Sequence, residues 1–453
     1  MAEERPGDGA AEADVPDGAA GARTSGAGDA ATAADVPDGT GRSDPKLLLK
    51  LSIPAIVIGI GSALVLAGLD LVSEWVDEFL WDVVPGWAGV SGDAPLWIIG
   101  VLTLAGLLTG LIVRFMPGHG GEDPATESLF PSPMAMSAVP GVALAAIITL
   151  SMGVSLGPEG PTLAINIALA AWVGRRFLPQ LPIGPLTVIV VSGTVGALFG
   201  SPVGAALLVT SVAIAVPSKR PLWDRMFAPL MAAAAGSITM HFLGAYSLSA
   251  GSPEYAAPAA IDFLWGVLVL LAAIAAGLAL VYGMKPLHRV FHAMRNPIIP
   301  LTIGGLILGL LGAIGGPITL FKGLDELQEL TKEAADYDAW QLAGIVGIKI
   351  VALLIAAAAG FRGGRIFPTI FIGGAIGILA VAIVPAIPVP VAMAAAVLGV
   401  CLVVVRDGWL SLFIAIVVVG DIALLPMLCV LILPGWLLVA RLPEMRVEEE
   451  PAG

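Results

Sequence analysis

Residues 153–168 read GVSLGPEGPTLAINIA, and Glu159 is the only charged side chain between Glu127 and Arg175. A carboxylate fenced by Gly157, Pro158, Gly160 and Pro161 can take up a proton, or it can compete with an anion for hydrogen-bond donors. Proline suits a first helical turn, because the N–H it lacks there would have no intrahelical partner, and glycine lets the backbone turn and approach closely. The same Gly-x-x-x-Pro form recurs as GGEDP at 120–124 and GRIFP at 364–368. Each is expected to open a helix, with free N–H groups and a partial positive charge at its start. Several such starts converging inside a bilayer would stabilise a small anion without a buried cation. Glu159 then reads as a tethered substitute for that anion, leaving when protonated or displaced. The plainer alternative is a helix cap facing headgroups, worth a few tenths to about 1 kcal/mol.

The elements that must position these residues are membrane helices. The 453-residue chain is 57% hydrophobic and only 13% charged, with a mean hydropathy of +0.94, far from the charge content of soluble domains. Apolar runs of helical length recur from 47 to 440 without dyad alternation, so the expected fold is all-α, a polytopic membrane bundle. Spans are expected at 47–72, 96–115, 134–153, 161–178, 183–199, 202–217, 224–244, 261–284, 298–315, 340–360, 366–384, 388–405, 409–420 and 422–440. Several are too short to cross alone, which is the mark of broken helices in transporters built from inverted repeats. The expected organisation is a disordered acidic tail at 1–46, a first membrane half at 47–245, a connector at 246–260, a second half at 261–440 and a short tail at 441–453. The first tail repeats ADVPDG at 13–18 and 34–39, has little to bury, and lacks the pattern of a signal peptide. Lys46, Lys50, Arg175, Arg176, Lys219, Arg220, Arg441 and Arg446 flank apolar runs, which places both termini in the cytoplasm of a plasma-membrane protein. The acidic loops around Glu74 to Glu78 and Asp325 to Asp338 then face out.

Other chemistries find little support. The net charge of −13 gathers in the tail and a few loops, and no nucleic-acid partner is implied. Cys401 and Cys429 lie in apolar runs and read as core residues, with neither metal-site spacing nor a disulfide framework. Of the histidines, only His288 and His292 share a helix face, beside Arg289 and Arg295, and they read as a basic patch at the membrane edge, so no metal centre or cofactor is expected. There is no HExxH and no GxSxG, which leaves a membrane-embedded enzyme as a distant alternative. Asp421 is expected to cap the helix that follows it.

These motifs resemble the CLC family of chloride channels and proton-coupled chloride exchangers. GPEGP at 157–161 is similar to that family's G-R/K-E-G-P element, with Glu159 at the gating glutamate. GGRIFP at 363–368 resembles its G-x-F-x-P element, GGEDP at 120–124 falls where G-S-G-I-P belongs, and FGSPVGAALL at 199–208 resembles its F-N-A-P-x-A-G-x-L helix start. The resemblance implies two inverted halves per subunit and a homodimer with one pore in each subunit, in contact through helices near 202–240 and 409–440. Backbone amides at Gly120, Gly121, Gly160, Arg365, Ile366 and Phe367 would line the anion path, on a scaffold of Pro124, Gly157, Pro161, Gly364 and Pro368. The departures matter. Gly121 stands where the family has a serine hydroxyl, Ile366 replaces the motif phenylalanine, and Pro158 replaces the basic residue. No tyrosine follows Tyr337, so the family's pore tyrosine is missing as well. Glu122 and Asp123 should repel anions at the inner mouth, while Arg362 and Arg365 either attract them or snorkel to the interface.

In the exchangers a second, inner glutamate hands protons to the gating one, and its positions here are Ser211 and Val212. The expectation is therefore passive conduction of a small anion, chloride or similar, gated by Glu159. The alternative is proton-coupled antiport along a non-standard proton path.

Overall fold

The computed structural model describes residues 45–128, 131–177, 182–215, 220–244, 248–255 and 259–447. Of the 1–46 tail, Pro45 and Lys46 already belong to the first helix, and residues 1–44 lie outside the described ones. No strand occurs among the described residues; their one isolated bridge joins Gly157 to Gly364. The chain is an all-α membrane bundle, as its hydropathy dictates.

Helix α1 (Pro45–Glu78) runs through a π turn into α2 (Val84–Ala88). Then come α3 (Pro95–Phe115), α4 (Val139–Ser151), α5 (Glu159–Phe177), α6 (Ile183–Leu198), α7 (Pro202–Ala215) and α8 (Leu222–Phe242). The remainder comprises α9 (Ala260–His292), α10 (Ile298–Gly315), α11 (Leu324–Lys332) and α12 (Ala339–Ala359), followed by α13 (Ile366–Ile383), α14 (Val389–Val404), α15 (Gly408–Val419) and α16 (Leu425–Val439). Seven helical stretches among the described residues are long and apolar enough to cross a membrane. The expected spans match the helices closely except in two respects. Helices α1 and α9 outrun their apolar cores, because the backbone ladder continues into polar residues after the hydropathy falls. Helix α11 was not expected: it buries Leu324, Leu327 and Leu330 on one side, a pattern that a search for continuous apolar runs passes over.

Close helix packing follows from small residues, as membrane interfaces require. A side chain at Gly106 would strike the Leu301 carbonyl, and one at Gly305 the Leu102 carbonyl, which lets α3 and α10 lie flush. Gly59, Gly193, Gly196 and Gly236 do the same for α1, α6 and α8. Helix α14 is buried at every residue from Pro390 to Val404 and packs against α9, α13, α15 and α16, as an all-apolar helix must. The Asn166 amide donates to Thr194 Oγ1 at 3.0 Å, which locks the middle of α5 to α6.

The segments outside the spans are pinned. Ala250 N–H donates to the Val418 carbonyl at 2.7 Å, and Tyr255 N–H donates to Asp421 Oδ2 at 2.8 Å, so the described part of the connector is held against α15 and the turn before α16. Asp421 also accepts from Ala423 N–H at 2.8 Å, the expected cap. Within the expected tail, Val447 N–H donates to the Ala125 carbonyl at 2.8 Å, so residues 441–447 fold back onto the turn that holds Ala125. Residues 448–453 lie outside the described ones.

Candidate anion site where two helices begin

The starts of α5 and α13 are tied together. Gly157 N–H donates to the Gly364 carbonyl at 2.8 Å, and Gly364 N–H returns the bond at 2.7 Å. Two helix N-termini thereby lie side by side in the buried interior. Glu159, 3% exposed, is turned into the protein. Its Oε1 accepts from Phe367 N–H at 2.9 Å across the junction, while its Oε2 is buried without a hydrogen-bond partner. The flanking glycines answer to this carboxyl group: a Cβ on Gly157 or Gly364 would collide with it. Pro161 and Pro368 sit in the first turns of their helices.

A cavity of about 290 Å³ opens beside the junction, lined by Glu127, Glu159, Gly160, Arg365 and Ile366 together with Phe199, Leu208, Val404, Arg406 and Met445. A smaller one of about 10 Å³, the size of a single water, touches Gly120, Gly121, Glu127, Gly160 and Arg362. Of the expected amide set, Gly160, Arg365 and Ile366 line the larger space, Gly120, Gly121 and Gly160 line the smaller, and Phe367 is engaged by Glu159.

Glu127 borders both cavities, and the sequence reading passed it over. Its carboxyl group lies against Gly160, where any side chain would strike it. Burial pushes it up to about 8, Arg365 pulls it down, and the nearby Glu159 adds to the rise. The only signal in the sequence was its position as the last acid before the long uncharged stretch. Tertiary folding brings the two acids to one helix start.

Two expectations need correction here. GGEDP does not open a helix: Gly120 and Gly121 have positive φ of 71° and 101°, and Pro124 lies in a turn closed by Thr126 and Glu127 N–H on the Asp123 carbonyl at 2.9 Å. Asp123 Oδ1 accepts from Ala125 N–H at 2.8 Å, a local bond that competes with helix continuation, and Pro131 and Pro133 follow, so α4 starts only at Val139. The arginines are both tied to backbone carbonyls. Arg362 is buried and donates through Nε and Nη2 to the His119 carbonyl at 3.3 and 3.1 Å, and Arg365 donates to the Met445 carbonyl. Finally, Cys401 is buried but Cys429 is exposed. Ser211 is exposed, and the Val212 side chain lies outside the described residues.

The histidine reading also changes. His288 and His292 stack with ring centroids 3.6 Å apart and turn their Nε2 atoms to Asp123 Oδ2, at 3.5 and 3.0 Å. Burial would raise Asp123, yet the two histidine hydrogen bonds hold its carboxyl well below the usual range. A second residue missed from sequence is Lys349, fully buried in α12. It donates to the carbonyls of Thr319 at 3.1 Å, Leu320 at 2.5 Å and Phe321 at 2.9 Å, using all three ammonium protons.

The family described as voltage gated chloride channel matches residues 101–438 of this sequence. The chain belongs to the CLC family. Relatives from Salmonella typhimurium (strain LT2) and Salmonella enteritidis PT4, provisionally named ion-transport protein YfeO, are each 48% identical over 402 residues, 88% of this chain and 96% of theirs. Among solved structures, a CLC-type fluoride/proton antiporter has a TM-score of 0.66 at 18% identity, covering 89% of this chain and 98% of its own. A slow cyanobacterial Cl⁻/H⁺ antiporter has a TM-score of 0.67 at 14% identity, covering 89% and 96%. This CLC protein therefore shares their fold.

Proposed function

We propose that this CLC protein moves a small anion across the membrane through the junction of α5 and α13, with Glu159 as the gate, and couples that movement to protons. The observation that carries the reading is the Glu159 carboxylate on the Phe367 amide at 2.9 Å, where a permeating anion would find the same donor. Protonation removes the charge that holds the side chain there and frees the amide. Residues Gly160, Arg365 and Ile366 supply further backbone donors and Gly120 and Gly121 the narrower side of the path.

Passive conduction was the first expectation because Ser211 and Val212 offer no inner acid. Glu127 supplies a titratable carboxyl from a different element, on the same two cavities as Gly160, and supports antiport. The two antiporters of like fold are consistent with this. Chloride is the first anion to test and fluoride the second, since selectivity rests on the number and strength of coordinating dipoles. The reading includes a multi-pass plasma-membrane protein with cytoplasmic termini, two inverted halves meeting at the connector, and a homodimer joined through α7, α8, α15 and α16.

The deciding experiment reconstitutes the protein in liposomes and records anion efflux and internal pH together. Antiport predicts proton movement at a fixed ratio to the anion, abolished in Glu159→Gln. Anion flux without proton movement would return the protein to passive conduction, and flux indifferent to Glu159→Gln would remove Glu159 from the gate.

A further inference from the structure

At the far end of the same loop, three side chains from two elements point at one place. His288 and His292 are one helical turn apart on α9, so a rigid scaffold fixes their spacing, and Asp123 arrives from the turn after Gly121. Both imidazole Nε2 atoms approach a single carboxylate oxygen, at 3.5 and 3.0 Å, and the three ligand atoms all lie within 4.8 Å of one another. A tetrahedral metal with bonds of about 2.0–2.1 Å holds its ligand atoms about 3.4 Å apart, close to the 3.5 and 3.0 Å from the two nitrogens to Asp123 Oδ2.

The hydrogen-bond geometry allows the ligand form of the histidines. His292 Nδ1 lies 3.1 Å from the His288 carbonyl. A proton on Nδ1 satisfies that oxygen and leaves Nε2 with its lone pair towards Asp123, which is how an outer hydrogen bond fixes the tautomer of a metal-binding histidine. His288 Nε2 is buried and its polar neighbour is the same Asp123 Oδ2, at a long 3.5 Å. If both rings were cationic, two positive charges would be stacked at 3.6 Å; a neutral ring with its proton on Nδ1 would face the carboxylate with a lone pair. One divalent cation satisfies all three groups together. Two imidazoles and a carboxylate are the donor set of zinc and its neighbours in the first transition row, not of magnesium or calcium. The Arg362 guanidinium near Asp123 is turned to the His119 carbonyl.

We propose that Asp123, His288 and His292 form a binding site for a zinc-class divalent metal, with a fourth position left for water. The ion would clamp the Gly120–Glu127 turn to the end of α9. Because the Asp123 carbonyl accepts from Glu127 N–H at 2.9 Å, the clamp would also fix the backbone that sets Glu127 against Gly160. The proposal stands on the cluster alone and is independent of whether transport is coupled or passive.

The test uses the full chain without any histidine tag, freed of metal by chelation and titrated with zinc by calorimetry. One zinc per subunit is expected, with nitrogen and oxygen neighbours by X-ray absorption and no displacement by excess magnesium. His292→Ala and Asp123→Asn should each weaken binding by about tenfold or more, and His241→Ala, remote from the cluster, should leave it unchanged. His292 is 46% exposed on its side chain, so its replacement keeps the fold testable even if changes at Asp123 do not. Binding equal in wild type and His292→Ala, or a metal shell lacking imidazole nitrogen, would overturn the site.

Discussion

In the proposed mechanism, protonation of one carboxyl group sets the state of the junction. Glu159 holds the Phe367 amide through a charge-assisted hydrogen bond, which is roughly twice as strong as a neutral one. Glu159→Gln should therefore loosen the plug and raise anion efflux, about fivefold for each 1 kcal/mol of weakened contact, with the part of the pH response that belongs to Glu159 lost. An efflux assay across pH 5–9 checks both. Glu127 adds a second step. With its carboxyl raised to about 8 by burial, it is neutral below that pH and ionised above it. Negative charge beside Gly160 then repels the anion, so efflux should fall as pH rises through about 8. Glu127→Gln should remove that fall and leave the Glu159 response in place. A fall near pH 8 that persists in Glu127→Gln would assign the titration to another group.

Among the elements, two supports outside the junction have consequences of their own. The returning segment 443–447 is held by Arg365 on the Met445 carbonyl, by Arg446 Nε on the Thr126 carbonyl at 3.0 Å and by Val447 on Ala125, and its Met445 lines the larger cavity. Truncation after Leu442 should open that cavity. In a background without Cys401 and Cys429, a cysteine at Leu208 should react faster with a charged thiol reagent in the truncated protein than in the full chain. Helix α12 carries the other support. Lys349→Met leaves the carbonyls of Thr319, Leu320 and Phe321 without their common donor. Buried polar groups left unpaired cost about 1–3 kcal/mol each, so a loss of roughly 3 kcal/mol or more is expected, read as a lowered midpoint of thermal unfolding in detergent.

For the whole molecule, the proposed homodimer places apolar side chains such as Val203, Trp223, Ile422 and Leu437, exposed on the single subunit, between copies. Cysteine pairs on α7 and α16 should cross-link two subunits in native membranes, and a ladder absent at all such positions would count against the dimer. Each subunit should transport by itself, because both helix starts and both acids belong to one chain.

The sequence by itself determined the class of protein and nearly every helix, because a bilayer leaves the backbone few options and hydropathy records where it is buried. It also singled out Glu159, since a lone acid in an apolar run stands out, and it found the helix starts at Glu159 and Ile366 from Gly and Pro alone. Only the tertiary structure decided that GGEDP is a turn, where the Asp123 carbonyl and carboxylate, bonded to the turn's own backbone, and the prolines beyond it outweighed the Gly-x-x-x-Pro pattern. Only the fold brought Glu127 to Gly160, turned Lys349 to three carbonyls, and set His288 and His292 on Asp123. Helices are local, so their signals lie within a few residues of one another. These contacts join residues as far as 169 positions apart, and nothing in the neighbourhood of either partner records the distance that folding removes.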